Sequence, residues 1–378
     1  MIQTYLVKWK AIDAYFFSGE KNFGFGSGRK YTGNPYFIHS LTTPTQTTLL
    51  GTLRYEILRR LQCESTYKTD TKELKEKQAL YIGKNSFCLS DTESNFGFIK
   101  SISPLFIMHG KERIVKAPYH KLYLNDTYVS RDLDKEKKDY VLLDGNNKRN
   151  LTVLDDVCLK EETNHRSMYC SLDSKDKTLI SEDKLFLSET RVGIKKEATT
   201  EGFFKKQYYR LKPEYEFAVY VQLECKEKSN DVFETLINDF NHTSKSIVYM
   251  GMSKSAFIMS VESVEEDSLR LFVEDAKHTF EQNTENNIYY AQSDIYVNYE
   301  EIIKCCSLIL GESREFRNLK TKDDTTSYYH RFKASELHYM MKAGSVFFVN
   351  DKETFESLIN NSNLQSIGFN QVIQIGGK

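Results

Sequence analysis

Residues 43–60 read TPTQTTLLGTLRYEILRR. Leu49, Leu50, Leu53 and Ile57, with Leu61 just beyond, recur at helical spacing on one face, which predicts an amphipathic helix over 46–61. Thr52, Tyr55, Glu56, Arg59 and Arg60 fall off that face. A helix needs one N-cap, yet Thr43, Thr45, Gln46, Thr47 and Thr48 all crowd this start. Two readings stay open. One is a plain threonine cap on a core helix. The other is an anion site, in which free N–H groups and the helix dipole act together with Gln46, Thr47, Thr48 and an Arg54 that reaches back. Gly51 would let another backbone come close.

Working outward, residues 2–9, IQTYLVKW, alternate apolar and polar and predict a strand. Residues 16–37 are rich in glycine and aromatics and read as a long loop or irregular hairpin. Residues 64–80 are polar, an exposed helix or an insertion. Residues 96–110 have strand character followed by a turn. From 125 to 185 the chain is heavily charged, with eight charged residues of ten in RDLDKEKKDY at 131–140. That region reads as solvated excursions around short strands, in part disordered. YEFAVYVQLEC at 215–225 alternates as a strand, a helix follows at about 231–241, strands lie near 246–250 and 256–262, and KAGSVFFVN at 342–350 is a further strand. Strand, helix and paired strands thus occur twice, before and after about residue 226. The fold class is α+β, two halves with antiparallel sheets and helices on one face. The division is 1–226, with insertions at about 64–80 and 125–185, and 227–378.

The 378 residues carry a formal net charge of −1, so any basic surface must be local or supplied by a larger assembly. Seven cysteines without a Cys-x-x-Cys pair indicate reduced thiols, neither a disulfide framework nor a zinc site, and the eight histidines are scattered. No metal and no cofactor is expected. No signal peptide and no apolar run of membrane-spanning length is seen, so a soluble, cytoplasmic protein without membrane contact is expected.

Residues 191–212 break the neutrality, with seven Lys or Arg against two acids. A turn at Gly202, flanked by Phe203, Phe204, Tyr208 and Tyr209, predicts a projecting hairpin. Cations interleaved with rings suit single-stranded RNA, the cations tracking phosphates and the rings stacking on unpaired bases. The bland alternative is an exposed hairpin kept soluble by lysine. NFGFGSGRK at 22–30 lacks the Gly-Lys-Ser/Thr ending of a phosphate loop and the spacing of a dinucleotide fold. Its Phe23 and Phe25 would stack on bases and its Arg29 and Lys30 would meet phosphates, or the segment is an aromatic turn packed on a sheet. GFNQVIQIGGK at 368–378 flanks a strand with glycines, which permits close approach by a ligand or simply ends the chain. His39 is the one candidate general base near the helix start, and no paired acidic motif for two metals is present.

In order, FFSGEKNFG (16–24), YFIHSLTTPTQTTLLGTLRYEIL (36–58), RVGIKKEATTEGFFKKQYYRL (191–211), YMGMSKSAF (249–257), KAGSVFFV (342–349) and the glycine-rich C-terminus resemble the RAMP superfamily of CRISPR systems. The nearest match is the third-subunit family of type III-B Cmr effector complexes. The landmarks span nearly the whole chain, while 64–80 and 125–185 do not match, Lys254 stands where many relatives carry a Gly-Glu-Arg type run, and the terminal loop has only two adjacent glycines. The resemblance implies two RRM-like (ferredoxin-like) halves and a projecting basic β-hairpin that holds the 5′ repeat-derived handle of the crRNA. It also implies docking to a large polymerase/cyclase-like subunit and to RAMP backbone subunits, without nuclease activity. Carried onto this chain, the RNA-binding positions are Arg191, Gly193, Lys195, Lys196, Gly202, Lys205 and Lys206 of the hairpin, Gln46, Thr47, Thr48 and Arg54 of the helix start, and Gly368, Gly376 and Gly377 of the terminal loop. Arg29 and Lys30 join them from the residues themselves. The alternative is a metal-independent RAMP endoribonuclease that cuts precursor crRNA through His39.

Overall fold

The structure is a computed structural model that describes residues 1–22, 36–65, 71–84, 86–89, 91, 95–119, 121–124, 127–130, 137–144, 147–154, 168–174, 178–195, 202–225, 230–251, 253–317, 319–321, 332–334 and 336–377. It is an α+β fold built on antiparallel sheets, with eight helices among the described residues.

The largest sheet has nine strands. Its order is Leu179–Ile180, Tyr169–Ser171, Glu112–Lys116, Phe106–His109, Tyr215–Glu224, Ile2–Ala11, Ser255–Val264 and Lys245–Met250, with Ile99–Ile102 also on Tyr215–Glu224. All of these pairings are antiparallel. Ile2–Ala11, the Gln46–Arg60 helix, Phe106–His109, Tyr215–Glu224, the Asn230–His242 helix and Ser255–Val264 follow one another as strand, helix, strand, strand, helix, strand. Within the sheet these four strands lie in the lateral order fourth, first, third, second. A separate four-stranded sheet repeats both orders with Asn287–Ala291, the Tyr299–Cys305 helix, Cys306–Leu310, Val346–Val349, the Lys352–Ile359 helix and Val372–Gly376. Ser255–Val264, from beyond residue 226, pairs directly with Ile2–Ala11, and Lys245–Met250 adds to its other edge.

Two apolar layers clamp the large sheet. On one side Tyr5, Val7 and Trp9 pack with Leu49, Leu50, Leu53 and Ile57 of the first helix and with Phe233, Leu236 and Phe240 of the Asn230–His242 helix. On the other, Leu6, Phe106 and Tyr220 meet Phe272, Ala276 and Phe280 of the Ser268–Phe280 helix together with Tyr290, Phe348 and Ile373 of the second sheet. Burial on both faces removes the simple alternation a half-buried strand would carry.

The first helix is buried over a wider arc than its leucine stripe indicates: Thr52 and Glu56 are also buried. The reason is a second contact. Glu56 accepts hydrogen bonds from Arg59, Arg60 and Ser246, and Arg60 in turn reaches Asp239. Gly51 on this helix is exposed, and a Cβ there would meet nothing within 4 Å. Among the described residues no backbone approaches it, contrary to the expectation. Gly51→Ala is expected to stabilise the isolated chain by about 1 kcal/mol, since alanine is the better helix former and narrows the unfolded ensemble. Chemical denaturation checks this; a lower midpoint would contradict it.

A smaller four-stranded sheet stands off the first helical connection, in the order Phe186–Lys195, Gly202–Leu211, Tyr36–Leu41 and Phe17–Asn22. The Gly202–Leu211 and Tyr36–Leu41 strands run parallel, and Tyr15 bridges to Tyr209 at the sheet's base.

Candidate nucleic-acid interface

The Phe186–Lys195 and Gly202–Leu211 strands form an antiparallel pair with unbroken register from Phe186↔Leu211 to Lys195↔Gly202. Alternation puts Arg191 and its partner Lys206 on one face and Lys205 on the other. Arg191 is exposed, lies 4.6 Å from the centre of the Tyr208 ring and pairs with Glu189 at 2.7 Å. Lys205 and Arg210 are exposed, and the Lys206 ammonium lies 5.4 Å from the centre of the Phe16 ring. Arg29, Lys30 and Lys196 lie outside the described residues. His39 on the adjoining strand has its Nδ1 2.8 Å from Oε1 of Gln207. That amide orients the ring but is no proton-transfer partner, so this contact gives the endoribonuclease reading no support.

The helix start is built differently. Thr45 is the N-cap, its hydroxyl accepting from the Thr48 N–H at 3.3 Å. The hydroxyls of Thr47 and Thr48 each contact the Thr45 hydroxyl, at 3.0 and 2.9 Å. Gln46 is buried, and its Nε2 donates to the carbonyls of Ser103 at 3.2 Å and Gly368 at 3.4 Å. Arg54 does not reach back to the helix start. It points to the carbonyl of Asn95 and lies 5.4 Å from the centre of the Phe96 ring, and burial pushes its pKa down to about 10. The threonine cap therefore accounts for one hydroxyl, and Gln46 acts as a latch between the helix and the C-terminal segment.

Gly368 is the other half of that latch. Its φ is +86°, and a Cβ would lie 2.5 Å from the Ser103 carbonyl oxygen and 2.7 Å from Gln46 Nε2. Gly376 and Gly377 lie apart from it, beside Asn286 and Asn287 at the far end of the last strand. Of the expected positions, then, Gln46 and Gly368 meet, and Arg191, Gly193, Lys195, Gly202, Lys205 and Lys206 lie on one antiparallel strand pair.

Beside the latch, between the two sheets' segments, opens a cleft of about 280 Å³. Thr42, Pro44 and Gln46 line it from the helix entry, Tyr119 and Tyr169 from the large sheet's side, and Gln292 from the second unit. Its charges are paired. Lys116 lies 3.6 Å from Glu182 and 4.1 Å from the centre of the Tyr169 ring, Arg314 pairs with Asp294, and Lys342 lies 2.8 Å from Glu312. Burial lowers the Lys116 pKa against the pull of Glu182. Burial also raises the Tyr169 phenol well above its usual 10.0. The cleft went unread in the sequence, although polar Gln-Ser-Asp at 292–294 directly after the apolar strand Asn287–Ala291 is a usable signal. Among the described residues, no three His, Cys, Asp or Glu side chains gather to hold a metal ion. No helix among them is long and apolar enough to cross a membrane.

A family model described as CRISPR-associated protein (Cas_Cmr3) matches residues 10–376. The fold and this match place the chain among the RAMP-like Cas subunits of type III-B CRISPR systems. It belongs to the Cmr3 family. Among solved structures it is similar to a chain in the cryo-EM structure of the type III-B Cmr-beta complex bound to cognate target RNA, at 14% identity over 99% of this chain and 97% of that one, TM-score 0.48. It is also similar to a chain of the Csm3–Csm4 subcomplex of the type III-A CRISPR-Cas interference complex, at 12% identity over 92% of each chain, TM-score 0.36. No curated protein sequence matches it.

Proposed function

We propose that this chain is a non-catalytic RNA-binding subunit of a type III-B interference complex, holding the 5′ repeat-derived handle of the crRNA. The observation that carries this reading is the antiparallel strand pair Phe186–Lys195 and Gly202–Leu211, whose cations Arg191, Lys205 and Arg210 are exposed in a chain of net charge −1. The two strand–helix units are its RRM-like halves, divided after Ser255–Val264 rather than at 226. In this reading the large polymerase/cyclase-like subunit and the RAMP backbone subunits cover other faces, and the protein works in the cytoplasm.

Replacing Lys195, Lys196, Lys205 and Lys206 together by alanine is expected to weaken handle binding by about a hundredfold at moderate salt. Four lost phosphate contacts would also make the log–log salt slope shallower by about 3. Fluorescence anisotropy of the full chain with a handle RNA over a salt series measures both. An unchanged affinity and slope would sink the reading. Precursor crRNA incubated with the chain should stay intact; cleavage lost in His39→Ala would establish the endoribonuclease instead.

A further inference from the structure

Gln292 is 4% exposed and lines the cleft, yet neither its amide oxygen nor its amide nitrogen has a partner among the described residues. Gln46 lines the same cleft, and its Oε1 is unpartnered as well, although its Nε2 is held by the latch. Tyr169 Oη and Arg314 Nε in the same cleft are unpartnered too; buried polar groups are normally satisfied, so four such side chains in one cavity mark a place built for something else. The other polar groups narrow what that is. Three cations, Lys116, Arg314 and Lys342, face three carboxylates, Glu182, Asp294 and Glu312, so the cleft has no spare charge for a phosphate. The volume of about 280 Å³ suits one small flat molecule and not a length of strand.

We infer that the cleft seats a single nucleobase bearing an exocyclic amine, splayed from its strand or offered as a free nucleotide. Gln292 supplies a donor beside an acceptor, the pattern an amide uses on a base edge. That pair alone serves any base. Gln46 Oε1 adds a second acceptor, and this asks for a second N–H on the ligand. Adenine, cytosine and guanine have one through the amine; uracil has a single N–H and leaves Gln46 unpaired. Tyr119 and Pro44 provide the flat walls. Cleft and hairpin are joined by one strand, Tyr36–Leu41, which pairs with the hairpin at residues 36–38 and enters the cleft wall at Ser40 and Leu41. The RNA arm of this inference rests on the handle-binding reading; the free-nucleotide arm does not.

The test uses the full chain and short handle RNAs in which each base in turn is uracil. One position is expected to lose about tenfold in affinity on change to uracil, and Gln292→Leu should erase that difference. Photo-crosslinking of wild-type protein with 8-azido-AMP, mapped by mass spectrometry, should label the cleft segments around residues 116–119 or 292–294, and it depends on no variant's folding. Uniform affinity at every position together with no cleft label overturns the inference, while a salt-sensitive loss in the hairpin variant would leave the handle reading standing. Cleft labelling competed by AMP and not by UMP, in a chain that binds no RNA, would support the cleft as a free-nucleotide site and remove the handle reading.

Discussion

Glu56→Ala should destabilise the chain by about 3 kcal/mol, because it strips the buried one of two counter-charges, Glu56 and the more exposed Asp239, from a buried cation. The Arg60 side chain is 2% exposed and that of Glu56 1%. Glu56 holds Arg60 at 3.0 Å, and Arg60 spans to Asp239 at 2.6 Å and to the Thr243 carbonyl at 3.0 Å while its guanidinium lies 4.4 Å from the centre of the Phe240 ring. Without Glu56 the Ser246 hydroxyl and one edge of Arg60 lose their acceptor. Glu56→Gln retains an oxygen for these donors and should cost less. Acid titration gives a second readout. Burial alone would raise the Glu56 pKa, but hydrogen bonds from Arg59 and Ser246 and the Arg60 charge outweigh it, so the folded value lies below the ordinary 4.5. A depressed carboxylate pKa adds stability that is whole above the unfolded value and disappears as pH falls through the folded one. Urea midpoints measured from pH 7 down to pH 3 should therefore fall in the wild type through this range, and less so in Glu56→Gln. Equal slopes would rule out Glu56 as a source of the acid sensitivity.

Gly368→Ala is the second large effect, at about 2–5 kcal/mol. Part comes from the left-handed backbone, where a Cβ costs about 1–2 kcal/mol. The rest is overpacking against the Ser103 carbonyl, a backbone atom that cannot swing aside. The damage should extend beyond stability. Gly368 and Ser366 tie the C-terminal segment to the first unit through Gln46 and Ile102, and the nucleobase cleft lies beside that seam. Gly51→Ala on the same helix as Gln46 is the contrasting control. Denaturant midpoints for the two variants should move in opposite directions, and a Gly368→Ala protein as stable as wild type would mean the close contact is absent.

Local patterning carried much of this in the sequence. The 46–61 periodicity matches the Gln46–Arg60 helix, and 215–225 matches Tyr215–Glu224. What local pattern cannot hold is who lies beside whom. Ile2–Ala11 takes partners from both sides of residue 226, a pairing that counting repeated elements along the chain does not reveal. Glu56 looks solvent-facing on a helical wheel, yet it is buried where Ser246 of the Lys245–Met250 strand bonds it and Arg60 links it to Asp239 of the Asn230–His242 helix. Arg54 stands about two turns beyond the helix start that an anion site would use, and its side chain lies against Phe96, distant in the chain. Gln292 looks like an ordinary turn residue until the opposite wall, more than a hundred positions earlier at Lys116 and Tyr119, is placed against it.

The strand Ile2–Ala11 is made long before either of the strands that flank it. Its partners are residues 217–224 on one side and 257–264 on the other. During synthesis Tyr5, Val7 and Trp9, which end almost wholly enclosed, have no neighbouring strand until most of the chain has emerged. Closing so distant a pairing is slow, and apolar segments left open meanwhile invite aggregation. A nascent chain of this design holds an apolar strand open for the interval before its central strand is enclosed.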